Sequence, residues 1–440
     1  MRGEAWQWFP TQAAENTYGF GHSTWRFGVS QSRENLDWQA EAEQVTVFAA
    51  PDDAIASGVQ GALGMGANYF QSNGSNSAGI FPKQVFVRFH SSGRLGQSLK
   101  LGRFEFIEGQ ETAPSNATLA MLKRDRIAHR LVGNFGFSAV GRSFDGAQYV
   151  FNRSEWNFTA MAGRATQGVF NTNGLKELAT AIAYAAFTRP VFKKSSELRV
   201  FGIEYHDGRL VTKTDNRSLA MRQADTGSVG MGTVGANFIG TRNVLSGTAD
   251  ALLWGAWQFG DWGALTQKSA ALAAEAGYQF AARTKPWLRV GYFRGTGDKN
   301  PNDNTHGTFF QMLPTPRISA RMPFFNLMNN EDIFAEFMLQ PAKKVILRSD
   351  AHVLRLSSAN DLWYQGGGAY DNINFGFSGR PSSGTRGLAN LYDLSADHQL
   401  SKQVTLTAYI GLAQGKNTIA KIYPQRNTAR FGCLELLYKF

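Results

Sequence analysis

Residues 428–440, TARFGCLELLYKF, alternate with a period of two up to the final residue. Counted in twos from the end, one set is Phe440, Tyr438, Leu436 and Leu434; the interleaved set is Lys439, Leu437, Glu435 and Cys433. A strand places the two sets on opposite faces. A uniformly apolar face with aromatics at its end, opposed to a mixed face, suits a strand with lipid on one side and a wet lumen on the other. The same code recurs along the chain. Val404, Leu406, Ala408, Ile410 and Leu412 oppose Thr405, Thr407 and Tyr409, and Val85, Val87 and Phe89 oppose Phe86, Arg88 and His90. Ala270, Leu272, Ala274, Ala276 and Tyr278 leave Glu275 on the inner face. Arg348, Asp350 and His352 share one side of 345–353, and the phase of 198–206 predicts Glu204 and His206 inside.

Length and composition narrow the alternatives. The chain has 440 residues, 47 glycines, 13 prolines, 13% aromatics and only 18% charged residues, with no break in texture that would divide it. One domain over residues 1–440 is therefore predicted. No stretch of about 18 uninterrupted apolar residues occurs, which excludes membrane-spanning helices, and the aromatic content excludes a disordered chain. A barrel passes this test because its lipid-facing residues come at every second position and average away, here to a mean hydropathy of −0.29. A soluble sandwich also alternates, but its polar face is mostly Lys, Glu and Thr, whereas Arg, Gly and aromatics fill it here. The single cysteine, Cys433, excludes an intrachain disulfide and a cysteine-based zinc cluster. The net charge is +11, yet no Lys/Arg run exceeds two residues and no nucleic-acid motif occurs, so nucleic acid is not a predicted partner. No secretory signal is visible at MRGEAWQWFP, and the start reads as a mature N-terminus.

The fold class predicted is all-β: a transmembrane antiparallel up-and-down barrel. At about 24 residues per strand with its share of connection, about 18 strands result, with 16 the next best fit. Short turns are expected at 91–93, 260–263 and 400–403, and long extracellular loops at 110–134, 208–229, 295–330 and 366–387, where Gly, Asn, Pro, Ser and Asp cluster. Trp254, Trp257, Trp262, Trp287, Trp363 and Tyr438 are assigned to interfacial girdles. Gly61, Gly64 and Gly66 read as a glycine-rich strand, since no Lys-Ser/Thr follows to make a phosphate loop.

A chain that stops on the last aromatic of such a strand resembles bacterial outer-membrane barrels, whose final strand closes the barrel and whose terminal Phe, here Phe440, is read by the assembly machinery. Further motifs resemble the alginate export family of outer-membrane porins. They are Leu101-Gly102-Arg103-Phe104-Glu105-Phe106 followed by Glu108-Gly109; Arg142-Ser143-Phe144-Asp145-Gly146; Trp257-Gln258-Phe259-Gly260; Gly277-Tyr278-Gln279-Phe280 with Pro286; Gly295-Thr296-Gly297-Asp298 running through Asn300, Pro301 and Asp303 to Thr308-Phe309; Pro314-Thr315; and the hairpins around Asp393. The resemblance covers about residues 84–440 in order. It implies an 18-stranded monomeric barrel in the bacterial outer membrane, among lipid and lipopolysaccharide, with an electropositive constriction that passes acidic polysaccharide. Periplasmic export proteins are further expected partners.

A polyuronate carries a carboxylate on every sugar, and guanidinium offers a planar, always-charged fork for it. Attraction at 4 Å is worth about 1 kcal/mol in water and about 4 kcal/mol at an effective dielectric of 20, so unopposed arginines would hold the polymer and stop transport. Carboxylates such as Glu105, Glu204, Glu275 and Asp350 would weaken the grip enough for movement. The expected constriction is Arg88, Arg103, Arg142, Arg289 and Arg348, with Glu105, Asp145 and Asp350 as partners and Glu204, Glu275 and His352 on the same path. Arg103 and Arg142 come from the family resemblance and the other arginines from strand phase; around 99–106 either face can be inward.

Asp298, Asn300, Asn302 and Asp303 are spaced like the start of a calcium loop, but Asp303 and Phe309 stand where an EF-hand needs Gly and Glu, so an ordinary outer loop is predicted, with no cofactor. An uptake porin for small organic anions shares the fold and charge sign. A barrel hydrolase would use His352 beside Asp350 or His206 beside Glu204, but neither pair comes with a nucleophile, and the chain is not predicted to be an enzyme.

Overall fold

The computed structural model describes residues 1–12, 15–55, 60, 64–93, 95–315 and 320–440. In a bilayer an open sheet edge leaves backbone N–H and C=O groups without partners, so spanning strands must close on themselves. Eighteen antiparallel strands do so. In chain order they are Arg2–Gln7, Thr17–Ser32, Leu36–Phe48, Ser77–His90, Gly96–Phe104, Phe144–Asn152, Asn157–Thr166, Glu177–Val191, Ser196–Asp207, Val229–Val244, Gly247–Trp262, Leu265–Gln279, Trp287–Gly295, Asn330–Ala342, Val345–Leu356, Gly387–Gln399, Val404–Gly415 and Thr428–Tyr438. The first pairs with the last, Arg2 opposite Glu435 and Gln7 opposite Arg430, which seals the seam. A two-residue strand, Thr305–His306, adds in parallel beside Leu265–Gln279, and Leu362–Gly366 pairs with Phe377–Pro381 as a separate hairpin.

The two ends differ as the outer-membrane pattern requires. Short connections such as 33–35, 192–195, 245–246, 343–344 and 400–403 gather at the end that holds both termini, the periplasmic end. The opposite end carries the connections 49–76, 105–143, 208–228, 296–329 and 357–386. The turn expected at 260–263 is at 263–264 and is a tight exception on the long-loop end, because the strand continues through Trp262. Gly64–Asn73 is a helix with Tyr69 fully buried, not a glycine-rich strand; Gly61 lies outside the described residues.

Strand phase follows the predicted code over most of the wall. Val85, Val87, Phe89, Leu253, Leu272, Ile410, Leu434 and Leu436 face outward, while Glu275, Asp350, His352 and Tyr409 face in. A bulge at Lys83 shifts the phase of Ser77–His90, so that Ile80 is outward before it and Val85 after it. Two assignments are corrected. Trp254, Trp262, Trp287 and Trp363 are buried inside the barrel, leaving only Trp257 and Tyr438 of the expected girdle outside. In Ser196–Asp207 it is Arg199, Phe201, Ile203 and Tyr205 that point inward, so Glu204 and His206 are on the exposed outer face. The reason is common to both. Long connections fold back into the lumen, and Leu119, Ile127 and Leu131 pack there against Phe201, Ile203 and Trp254, giving the inner wall an apolar lining that local alternation does not reveal. Glu204 and His206 lie near the outer rim, where polar groups on the lipid side cost little.

Introducing Leu253→Arg near the middle of its strand is expected to destabilise the refolded barrel in vesicles by about 2–4 kcal/mol, and Glu204→Arg by about 0–1 kcal/mol. Equal costs in urea titrations would contradict the face and depth assigned to these positions.

Candidate functional site

The connection 105–143 folds into the lumen and is fixed to the inner wall by its own sequence. Asn116 caps the helix Ala117–Leu122 by accepting the Leu119 N–H at 2.9 Å, and the chain tightens into a π-helical turn at Lys123–Ile127. Leu119, Leu122 and Ile127 are buried, and Lys123 and Arg126 between them are turned toward the wall. Lys123 Nζ donates to Glu197 at 2.6 Å. Arg126 makes a two-pronged contact with Glu275 at 2.9 and 3.0 Å, and Arg130 reaches the same carboxylate at 3.1 Å. Arg289 adds a third guanidinium to Glu275 at 2.9 Å and also pairs with Asp250. Arg348 bridges Glu336 and Asp350, both at 2.8 Å. Further along, Arg199 joins Glu108 at 2.5 Å and Glu111 at 3.4 Å, fixing the root of the connection to the wall. Desolvated pairs of this kind add little net stability, but breaking one costs about 3–5 kcal/mol because a buried charge is stranded.

Other charges remain open to the passage. Arg124, bound to the neighbouring Asp125 at 2.6 Å, has a side chain 61% exposed. Arg321 pairs with Asp397 at 2.9 Å, and Asp397 lies within electrostatic reach of Arg124. A second group combines Arg26 with Glu43 at 2.5 Å and Glu105 at 3.0 Å, with Lys83 at 3.7 Å from Glu105. At the periplasmic mouth Arg88, paired with Asp37, helps line a cavity of about 710 Å³ together with His90, Arg153, Lys194 and Glu197.

Of the residues read from the sequence, Glu275, Arg289, Arg348 and Asp350 meet in one network, and Glu105 and Arg88 also face the lumen. His352 is inward but its Nδ1 faces Asp332 at 2.9 Å, not Asp350, and its ring lies between Phe325 and Phe334. Arg103 and Asp145 are not in the lumen: Arg103 is in register with the outward Val85, and it grips Asp145 at 2.7 and 2.5 Å near the outer rim. Regular alternation from Leu99 and Leu101 carries it there. Arg142 is fully buried and lacks a carboxylate partner among the described residues. Its guanidinium donates to the carbonyls of Gly133 (3.1 Å), Leu313 (3.0 Å), Gly367 (3.4 Å) and Ala369 (3.1 Å), stapling three connections together, and burial pushes its pKa down to about 9. The calcium-like residues do not converge on a common centre. Asp298, Asn300 and Asp303 accept the N–H groups of Asn300, Asn302 and Thr305, closing successive turns. No group of three or more His, Cys, Asp or Glu placed to hold a metal occurs among the described residues.

The residues missed are Lys123, Arg124, Arg126, Arg130, Arg321 and Asp397. The signal for most of them was present in KRDRIAHR at 123–130, a concentration of cations inside a segment assigned to the outside.

A closed barrel of eighteen strands, short-turned at one end and narrowed from within by a charged connection, defines a porin-type outer-membrane channel. The alginate export family model matches residues 40–431, and the chain belongs to that family. No curated protein matches the sequence. Among solved structures, the outer membrane protein OpdK of Pseudomonas aeruginosa aligns over 99% of this chain and 96% of its own, with a TM-score of 0.57 and 9% identity. OccK9 (OpdG) of the same organism aligns over 99% and 96% with a TM-score of 0.60 and 10% identity, and OprD over 99% and 92% with 0.55 and 8%. At these identities the likeness establishes the fold.

Arg142→Met is expected to leave the barrel folded but to free the inner connections, since each orphaned carbonyl costs about 1–3 kcal/mol. Limited proteolysis of 105–143 should accelerate at least tenfold. Unchanged cleavage would show that the staple does not hold them.

Proposed function

We propose that the channel passively conducts anionic saccharides of the alginate type, polyuronates or oligouronates, past the guanidinium groups of Arg124 and Arg321. The observation that carries this reading is the exposure of Arg124, within electrostatic reach of the inward Asp397, while its neighbours Lys123, Arg126 and Arg130 are committed to buried pairs. Two classes of arginine result. Arg126, Arg130, Arg289 and Arg348 are neutralised by Glu275, Asp250, Glu336 and Asp350 and set the width, while Arg124 and Arg321 remain available to a moving carboxylate. Asp125 and Asp397 stand beside the available ones, so a uronate exchanges with a resident carboxylate at each step instead of being trapped. Arg26 and Glu105 extend the path, and Arg88 lies at its periplasmic mouth. The proposal includes a monomer whose Phe440, exposed beside Tyr438 at the periplasmic end, is read during assembly, and which receives polymer from periplasmic export proteins.

A small organic anion is the alternative cargo. It draws support from OpdK, whose structure has been solved with vanillate and which shares the fold.

Purified protein in a planar bilayer under a salt gradient tests both. Anion-selective steps blocked by oligouronate, with block weakened roughly thirtyfold or more in the Arg124→Glu/Arg321→Glu variant, are expected from the loss of two contacts of about 1 kcal/mol each. Block by vanillate without block by oligouronate would favour the alternative. Absence of anion preference would overturn the arginine path for either cargo.

A further inference from the structure

The outer wall carries a second basic cluster that the passage does not use. Arg294, Glu331 and Arg355 occupy successive strands in direct register, Arg294 opposite Glu331 and Glu331 opposite Arg355. They share the phase of Val290, Ile333 and Val353, which are exposed, so all three belong to the lipid-facing side. They also lie at the long-loop ends of their strands, which is the level of the outer headgroups. Arg386 joins from the following connection and donates to Glu331 at 2.8 Å, while Arg294 approaches the same carboxylate at 3.6 Å. One acid therefore draws two arginines together. The Arg355 side chain has no hydrogen bond or ion pair among the described residues, and Lys416 adds a further cation. The Lys416 side chain packs beside Gly387, the register partner of Arg355, and burial and the Arg355 charge push its amine downward. An excess of positive charge is thus held in one place on a surface whose neighbour is lipid.

Directly below the cluster, toward the membrane centre, the wall is hollowed. Ala276, Val290, Ala335 and Ala351 are in register across four strands, and Tyr292 and Tyr392 stand at the sides of a groove of about 800 Å³. At about 3.3 Å per residue, this row lies roughly 13 Å below the arginines, within acyl-chain depth of a headgroup seated on them.

We propose that this face is a binding site for a phosphate-bearing glycolipid of the outer leaflet, its phosphates on Arg294, Arg355, Arg386 and Lys416 and one acyl chain in the alanine groove. Guanidinium groups suit phosphate because their planar forks donate to two oxygens at once, and Glu331 orients two of them without cancelling the cluster. The site is independent of what passes through the lumen.

The test uses the delipidated full chain in phosphatidylcholine nanodiscs containing bisphosphorylated hexa-acyl lipid A, with retained lipid read by native mass spectrometry. Wild type should retain the lipid, and the Arg294→Gln/Arg355→Gln/Arg386→Gln variant should bind it roughly a hundredfold more weakly, from the usual contribution of a basic residue at a charged membrane surface. Ala335→Phe, which fills the groove and leaves every charge in place, should also weaken retention. Heat-modifiable electrophoretic mobility confirms that each variant is folded. Equal retention by wild type and both variants overturns the proposal. Equal retention of dephosphorylated lipid A overturns the role of the arginines, and displacement of the lipid by millimolar inorganic phosphate would reduce the site to a free-anion site.

Discussion

The carboxylate of Glu275 is the point on which the interior depends. It sits on the inner face of a wall strand, excluded from water, and receives Arg126 and Arg130 from the connection 105–143 and Arg289 from the neighbouring strand. A buried carboxylate is tolerable only with such company, and buried guanidiniums only with such a carboxylate. The arrangement has a directional consequence. Arg126, Arg130 and Arg289 are spent on fixing the connection, and Arg124 beside them keeps an exposed side chain. In the proposed function, width and selectivity fall to different residues of one short segment.

Apolar packing works alongside this hub. The indole N–H groups of Trp262 and Trp287 donate to Asp215 and Asp250 at 2.9 and 2.7 Å, so even the aromatic packing inside the barrel is tied to charge. Arg142 acts by another route, using backbone carbonyls from three connections in place of a carboxylate. A lumen filled in this way behaves as a protein core with a channel left through it, which is why rigid positions can be maintained on segments that are formally loops.

This arrangement also explains what could be read from the sequence. Strand phase is a local property, and the faces of Val85, Leu272, Glu275, Ile410 and Leu434 followed from alternation alone, as did the strand number from spacing. Which phase is the inside is not local where both faces are apolar. In Ser196–Asp207 the inward set Phe201, Ile203 and Tyr205 is as apolar as any lipid face, because it meets the folded-in connection, and Glu204 was placed on the wrong side for that reason. Arg103 and Asp145 differ: only the phase around 99–106 is ambiguous in the sequence, and Asp145 goes with Arg103, its ion-pair partner, to the outer rim. The cations of 123–130 were visible as composition but not as position, since nothing in a segment between two strands states that it turns inward. That information resides in Glu197 and Glu275, some 70 to 150 residues away in the chain.

The most direct measurement of the account is single-channel conductance of Glu275→Gln beside wild type, in the same bilayer and salt. Loss of the charge that holds Arg126, Arg130 and Arg289 should release the connection, giving larger and noisier openings together with stronger anion preference from the freed guanidiniums. Conductance, noise and selectivity identical to wild type would contradict the claim that this buried hub sets the passage.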